Sequence, residues 1–196
     1  MVAEISGMVA TKLMLADYLS LEGSTESRCE FVDGEIIEMP PESPQNNLVS
    51  LFLLSQFLSC VPLRWLRRMD TEIVVAGRVR IPDLMVLGDD LANALEANGR
   101  STITEEMPAP LLVVEVVSPG KVNEDRDYRY KRSEYAARGI GEYWIIDPSH
   151  AQVTVLTLVD GLYEAQELAG SDTLTSPQLP ELSLDVAQLL NPHGES

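Results

Sequence analysis

Three residues of this sequence, Asp83, Glu115 and Lys131, stand out by type and setting as a candidate divalent-metal site with a lysine beside it. Glu115 stands inside Leu111–Val117 (LLVVEVV), an apolar run of the kind that forms a central strand buried on both faces. An ionised carboxylate without a partner is costly there, so it demands a cation, a hydrogen-bond donor or a proton. The plainer alternative is a carboxylate at a strand end that reaches water or an arginine. Strand alternation puts Val113, Glu115 and Val117 on one face. Asp83 follows Ile81-Pro82 and opens a second apolar run, Leu84–Leu87. Pro-Asp alone is a common turn dipeptide, but two carboxylates from neighbouring strands make a hard-oxygen site suited to Mg²⁺ or Mn²⁺. Lys131 falls in a predicted helix over 124–138, where helical spacing puts Tyr128, Lys131 and Tyr135 on one face. Turned toward the sheet, that face brings the ammonium near the carboxylates; turned outward, Lys131 snorkels into water. Asp127, one turn earlier, also fits as a simple i,i+4 partner.

These residues need elements to hold them. The spacing predicts a helix over 11–21 capped by Thr11, then strands 28–31 and 35–39 around an Asp33-Gly34 hairpin turn. Ser43 caps a helix over 44–60. Strands 71–76 and 78–87 surround Gly77, with Pro82 marking an edge, bulge or bend in the second. A short helix over 89–98, the strand around Glu115, the helix ending at Gly139, a strand over 142–146 and a hairpin over 152–167 follow. The tail from Ser171, with Pro177, Pro180 and Pro192, reads as irregular apart from a helical turn near 185–190. Between 44 and 146 the order is helix, three strands, helix, strand, so helices pack on a mixed sheet in an α/β (α+β) sandwich.

The chain has 196 residues, enough for one domain with a sizeable core. No apolar run reaches the roughly 18–20 residues of a membrane span. The longest, 48–63, is interrupted by Ser50, Ser55, Gln56 and Ser59 and reads as a buried helix. Residues 1–15 carry Glu4 and no basic start, so no signal peptide is expected and the expected location is cytoplasmic. Cys29 and Cys60 lie far apart, with no Cys or His close by, which excludes a Cys/His zinc site and a cysteine-protease arrangement. The net charge of −17 opposes generic nucleic-acid binding. Eleven of the fourteen basic residues, however, fall within 64–80 and 121–138. If those stretches meet in space, they form a basic patch.

Four segments, RCEFVDGEIIEMPPESP (28–44), RIPDLMVL (80–87), LLVVEVVSPG (111–120) and DYRYKRSEYAARGIGEYWIIDP (127–148), carry a resemblance in their order. With them the chain resembles the Uma2 (DUF820) family, frequent in cyanobacteria and a branch of the PD-(D/E)XK restriction-endonuclease-like superfamily. The resemblance implies a restriction-endonuclease-like mixed sheet flanked by helices, with extra hairpins, in a single domain whose core covers about 11–167. It implies that Asp83 matches the Asp of the Pro-Asp motif and Glu115 the acid of the (D/E)-x-K motif. The lysine position of that motif is Val117 here, and Lys131 is the basic residue that fits in the following helix. Residues 44–60 lack the Glu that the superfamily often places there, which leaves Glu30 or Glu35 as replacements; Asn46 and Asn47 stand where family members often have a His. The implied activity is Mg²⁺- or Mn²⁺-dependent hydrolysis of DNA phosphodiesters, with Asp83, Glu115 and the Val116 carbonyl as ligands and Lys131 orienting or helping to deprotonate the attacking water. A homodimer follows by analogy with restriction enzymes. The alternative is a weak or inactive nuclease-fold module for binding or assembly, favoured by the acidic charge and by Val117.

Overall fold

The structure, a computed structural model, describes residues 12–21, 28–120, 123 and 125–193. Thr11, Lys121 and Glu124 lie outside the described residues. Helix α1 (Leu15–Ser20) leads into the hairpin of β1 (Cys29–Val32) and β2 (Glu35–Glu38). Its turn holds Asp33 and Gly34 at φ of 53° and 89°, the left-handed pair that a tight hairpin requires. Helix α2 (Pro44–Phe57) is capped by the Ser43 hydroxyl, which accepts from the Asn46 N–H at 3.1 Å. Strands β3 (Leu66–Arg67), β4 (Glu72–Val75), β5 (Arg78–Arg80) and β6 (Leu84–Val86) follow, then α3 (Asp89–Glu96), β7 (Thr102–Ile103) and β8 (Leu112–Val116).

The single strand expected over 78–87 is two strands in two sheets. Pro82 has no N–H to give a ladder, and the chain bends there. Strand β5 stays in a five-stranded sheet ordered β2-β1-β5-β4-β7, while β6 enters a six-stranded sheet, where it pairs antiparallel with β8. One kink therefore ties the sheets together, with Arg80 on one side and Asp83 on the other. The six-stranded sheet continues through β9 (Glu142–Asp147), parallel to β8, and the hairpin of β10 (Gln152–Val159) and β11 (Leu162–Ala169).

Both faces of this sheet are covered, as the apolar run of β8 requires. Leu112, Val114 and Val116 join a core with Val49, Leu53 and Phe57 of α2. Val113 and Val117 face the other way, toward Tyr135, Ile140 and Tyr143. The crossover from β8 to β9 differs from the uniform helix expected over 124–138. Arg126–Lys131 form a π-turn, and the α-helix proper, α4, is Arg132–Arg138, closed by Gly139 at φ 79°.

The C-terminal tail is not irregular. Strands β12 (Thr173–Thr175) and β13 (Ser183–Asp185) pair, and α5 (Val186–Leu190) follows. Leu174, Leu179, Leu182, Leu184, Val186 and Leu189 are buried in the α2-side core, so the prolines punctuate packed structure. Among the described residues no helix is long and apolar enough to cross a membrane.

Candidate active site

Asp83 and Glu115 meet because β6 and β8 are neighbours. The antiparallel register pairs Leu84 with Val114, and one further step sets Asp83 opposite Glu115. Each carboxylate has one oxygen anchored. Asp83 Oδ2 accepts from the Val116 N–H at 2.7 Å, and Glu115 Oε1 accepts from the Tyr135 hydroxyl at 2.7 Å and from Lys131 Nζ at 2.8 Å. The second oxygens, Asp83 Oδ1 and Glu115 Oε2, have no hydrogen-bond partner among the described residues. Both side chains line one cleft, together with Arg28, Glu42, Arg126 and Lys131.

Burial pushes the Asp83 carboxyl well above the usual carboxylate range, and the nearby charges of Glu115 and Glu42 push it further. Glu115 is also raised, first by burial and then by Asp127, against the pull of Lys131 and the Tyr135 hydroxyl. Two desolvated carboxylates thus line the cleft, each with one oxygen that has no hydrogen-bond partner among the described residues. They fit a hard divalent cation, and Mg²⁺ in particular takes one or two carboxylates and keeps several waters. Among the described residues no group of three or more His, Cys, Asp or Glu side chains could hold a metal. Glu42 is in the cleft wall, one residue before the cap of α2. The Val116 carbonyl is partly occupied, since the Asn46 amide donates to it at 3.4 Å.

Lys131 turns inward. Its side chain is 1% exposed, and its ammonium lies 2.8 Å from Glu115, 3.4 Å from Asp127 and 3.6 Å from Glu30. Burial alone would lower its pKa, but Glu115, Glu30 and Asp127 outweigh that and hold it above the usual lysine value. Tyr135, on α4, shares this face; Tyr128 does not, because its hydroxyl donates to Asp147 at 3.3 Å. The π-turn accounts for the difference by rotating Tyr128 away from the position that α-helical spacing gives it.

Of the two candidate substitutes for a helix-borne acid, Glu35 is exposed on β2, while Glu30 is buried and reaches Lys131 and Arg80. Sequence reasoning missed Glu42, which hides in the PPES loop just before the helix that was searched. Asn46 proves to be a brace: its amide donates to the Val117 carbonyl at 3.3 Å, Ser118 Oγ at 3.2 Å and Glu42 Oε2 at 3.4 Å. The two basic stretches do not gather into one free surface. Arg78, Arg80 and Lys131 form internal ion pairs, Arg64 pairs with Asp89 and Glu96, and Arg138 donates to the carbonyls of Thr104, Met107 and Pro108. The cleft itself keeps Arg28 and Arg126 beside Lys131.

A crystal structure described as a "putative nuclease belonging to DUF820 from Anabaena variabilis" is similar to this fold. It has a TM-score of 0.68 and 21% identity, over 91% of this chain and 97% of that one. None of the curated proteins matches the chain. The Uma2 family model, described as "Putative restriction endonuclease", matches residues 15–187, which include every cleft residue named above. The chain belongs to the Uma2 family.

Proposed function

We propose that the protein is a metal-dependent nuclease that hydrolyses DNA phosphodiester bonds at the Asp83/Glu115 cleft. The observation that carries this reading is that Asp83 and Glu115 line one cleft, each with one oxygen held, by Val116 and by Tyr135 and Lys131, and the other without a hydrogen-bond partner among the described residues. Asp83 and Glu115 hold Mg²⁺ or Mn²⁺, which when bound polarises a phosphate and acidifies water. Lys131, whose pKa its carboxylate neighbours raise above the usual lysine value, acts as a positive charge beside the scissile group. Glu42, in the cleft wall, adds a carboxylate that can accept a hydrogen bond from water. Arg28 and Arg126 offer guanidinium groups to phosphate oxygens. Family membership and the likeness of fold to a protein described as a nuclease support the same activity.

The test is plasmid nicking with and without Mg²⁺ or Mn²⁺, beside calorimetric metal titration of the parent and Asp83→Ala. Metal-dependent nicking lost in the variant together with metal binding supports the reading; metal binding without cutting rejects it. One observation favours a second reading, a module that binds without cutting. Most arginines of the two basic stretches are engaged within the protein, which has a net charge of −17, so few cations remain for a long duplex.

A further inference from the structure

Seven side chains form an unbroken row of alternating charge from the surface to the cleft. Starting outside, Asp33 in the β1–β2 turn meets Arg78 at 2.8 Å, and Arg78 meets Glu134 at 2.5 Å. Glu134 takes Arg80 on both its oxygens, at 2.8 and 2.9 Å. Arg80 holds Glu30 at 2.7 Å, Glu30 lies 3.6 Å from Lys131, and Lys131 lies 2.8 Å from Glu115. The five inner members, Glu134, Arg80, Glu30, Lys131 and Glu115, are each no more than 3% exposed. A buried row of this kind adds little stability over well-packed apolar residues, because desolvation offsets most of the attraction. What it fixes is position.

The geometry at Lys131 shows which position. Glu115 draws the ammonium toward the cleft, while Glu30 and Asp127 draw it back. Glu30 cannot follow the lysine, since its other oxygen is bound to Arg80 and the Ile81 N–H approaches its Oε1 at 3.4 Å. Arg80 in turn is gripped bidentately by Glu134, on the same helix as Tyr135. The ammonium is thus suspended between a fixed inner anchor and the carboxylate that faces the cleft.

We propose that Glu30, held by Arg80, is the positioning residue for Lys131. Together with Asp127 it keeps the ammonium seated on Oε1 of Glu115, at 2.8 Å, and so leaves Oε2 of that carboxylate to a cation. The proposal rests on the metal-site reading above and adds a residue that touches neither ion nor substrate. Without the charge at Glu30, Lys131 is free to shift from Oε1 across to Oε2 of Glu115 and competes with the cation there.

The experiment uses the full chain and its Glu30→Gln and Glu30→Asp variants. Mn²⁺ binding is measured calorimetrically, and nicking is measured at saturating Mn²⁺ over a range of plasmid concentrations. Glu30→Gln should weaken Mn²⁺ binding about three- to tenfold and lower kcat about tenfold or more, with KM for plasmid unchanged. Glu30→Asp keeps the charge and should recover most of both losses, and it serves as the folded variant if the amide proves unstable. Equal Mn²⁺ affinity in all three proteins overturns the proposal, as does Glu30→Asp failing as badly as Glu30→Gln. A parent that binds Mn²⁺ but never cuts removes the nuclease reading and leaves the Mn²⁺ comparison to decide this one. A parent that binds no Mn²⁺ removes both.

Discussion

Asp83 accepts a 2.7 Å hydrogen bond from the backbone N–H of Val116, the residue next to Glu115. One acid is thereby clamped to the strand that carries the other, and the spacing of the pair is set by backbone. The clamp does not require a charge. Asparagine at position 83 keeps an oxygen for the Val116 N–H and relieves the burden of burying a second carboxylate. Asp83→Asn should therefore raise metal-free stability at neutral pH by about 1 kcal/mol in urea unfolding, while abolishing Mn²⁺ binding.

Glu115 should respond in the opposite direction. It appears as a like-charge neighbour of Asp83, which suggests relief on neutralisation, but its Oε1 holds both Lys131 and Tyr135. Glu115→Gln leaves a buried ammonium short of a charged partner, so stability should fall by about 2 kcal/mol. Equal unfolding midpoints for the two amide variants would contradict this asymmetry.

Lys131→Met removes the cation that three carboxylates share. Loss of one member of a buried pair costs roughly 3–5 kcal/mol. The variant should be markedly less stable without metal and should regain part of the loss when Mn²⁺ is added. Nicking should be absent even where metal is bound, as measured by thermal unfolding with and without Mn²⁺ beside the nicking assay.

Acid sensitivity follows from Glu30. Burial raises its pKa, but Lys131 and Arg80 outweigh that and hold it below the ordinary glutamate value. A carboxyl depressed in the folded state contributes stability that is complete above its unfolded pKa and disappears as pH falls through the folded one. The stability gap between parent and Glu30→Gln should therefore be widest near neutrality and shrink as pH falls below about 4, with unfolding free energies as the readout.

Asn46 braces the end of β8 and the acid Glu42 with one amide group. Asn46→Ala should cost about 1–2 kcal/mol, since buried carbonyls lose their donor. It should also reduce nicking more than Mn²⁺ affinity, because Asp83 and Glu115 keep their own anchors.

Much of this arrangement was legible in the residues. Glu115 announced itself by its setting, because an acid inside an apolar strand has few tolerable environments. The Asp-Gly turns at 33–34 and 160–161 have positive φ at both residues, as that dipeptide implies. Period-two alternation assigned the two faces of β8. The features that escaped depend on tertiary placement or on a single altered register. Pro82 signalled a bend, but not that the chain changes sheets there. The tail carries its buried leucines in segments too short for a periodic signal. Glu42 sits in a proline-rich loop, where only the fold shows that it borders the cleft. Arg78 and Arg80 fall in a stretch that could have joined a basic patch and are internal counterions, a distinction that net charge and clustering do not encode.

The π-turn at Arg126–Lys131 sets the phase between the two ends of this helix. On an α-helix, at about 100° per residue, positions five apart diverge by roughly 140°, whereas i→i+5 bonding brings them back toward one side. Arg126 and Lys131 can thus both border the cleft, while Asp127 still reaches the ammonium at 3.4 Å. The interval from 126 to 131 consequently tolerates no change of length. Removing one residue there, even the half-exposed Tyr130, would convert the wide turn into an ordinary α-turn and change the Asp127–Lys131 pair from i,i+4 to i,i+3. Chain-length variation among relatives of this protein should accordingly accumulate before the turn or beyond Gly139, and stop at its borders.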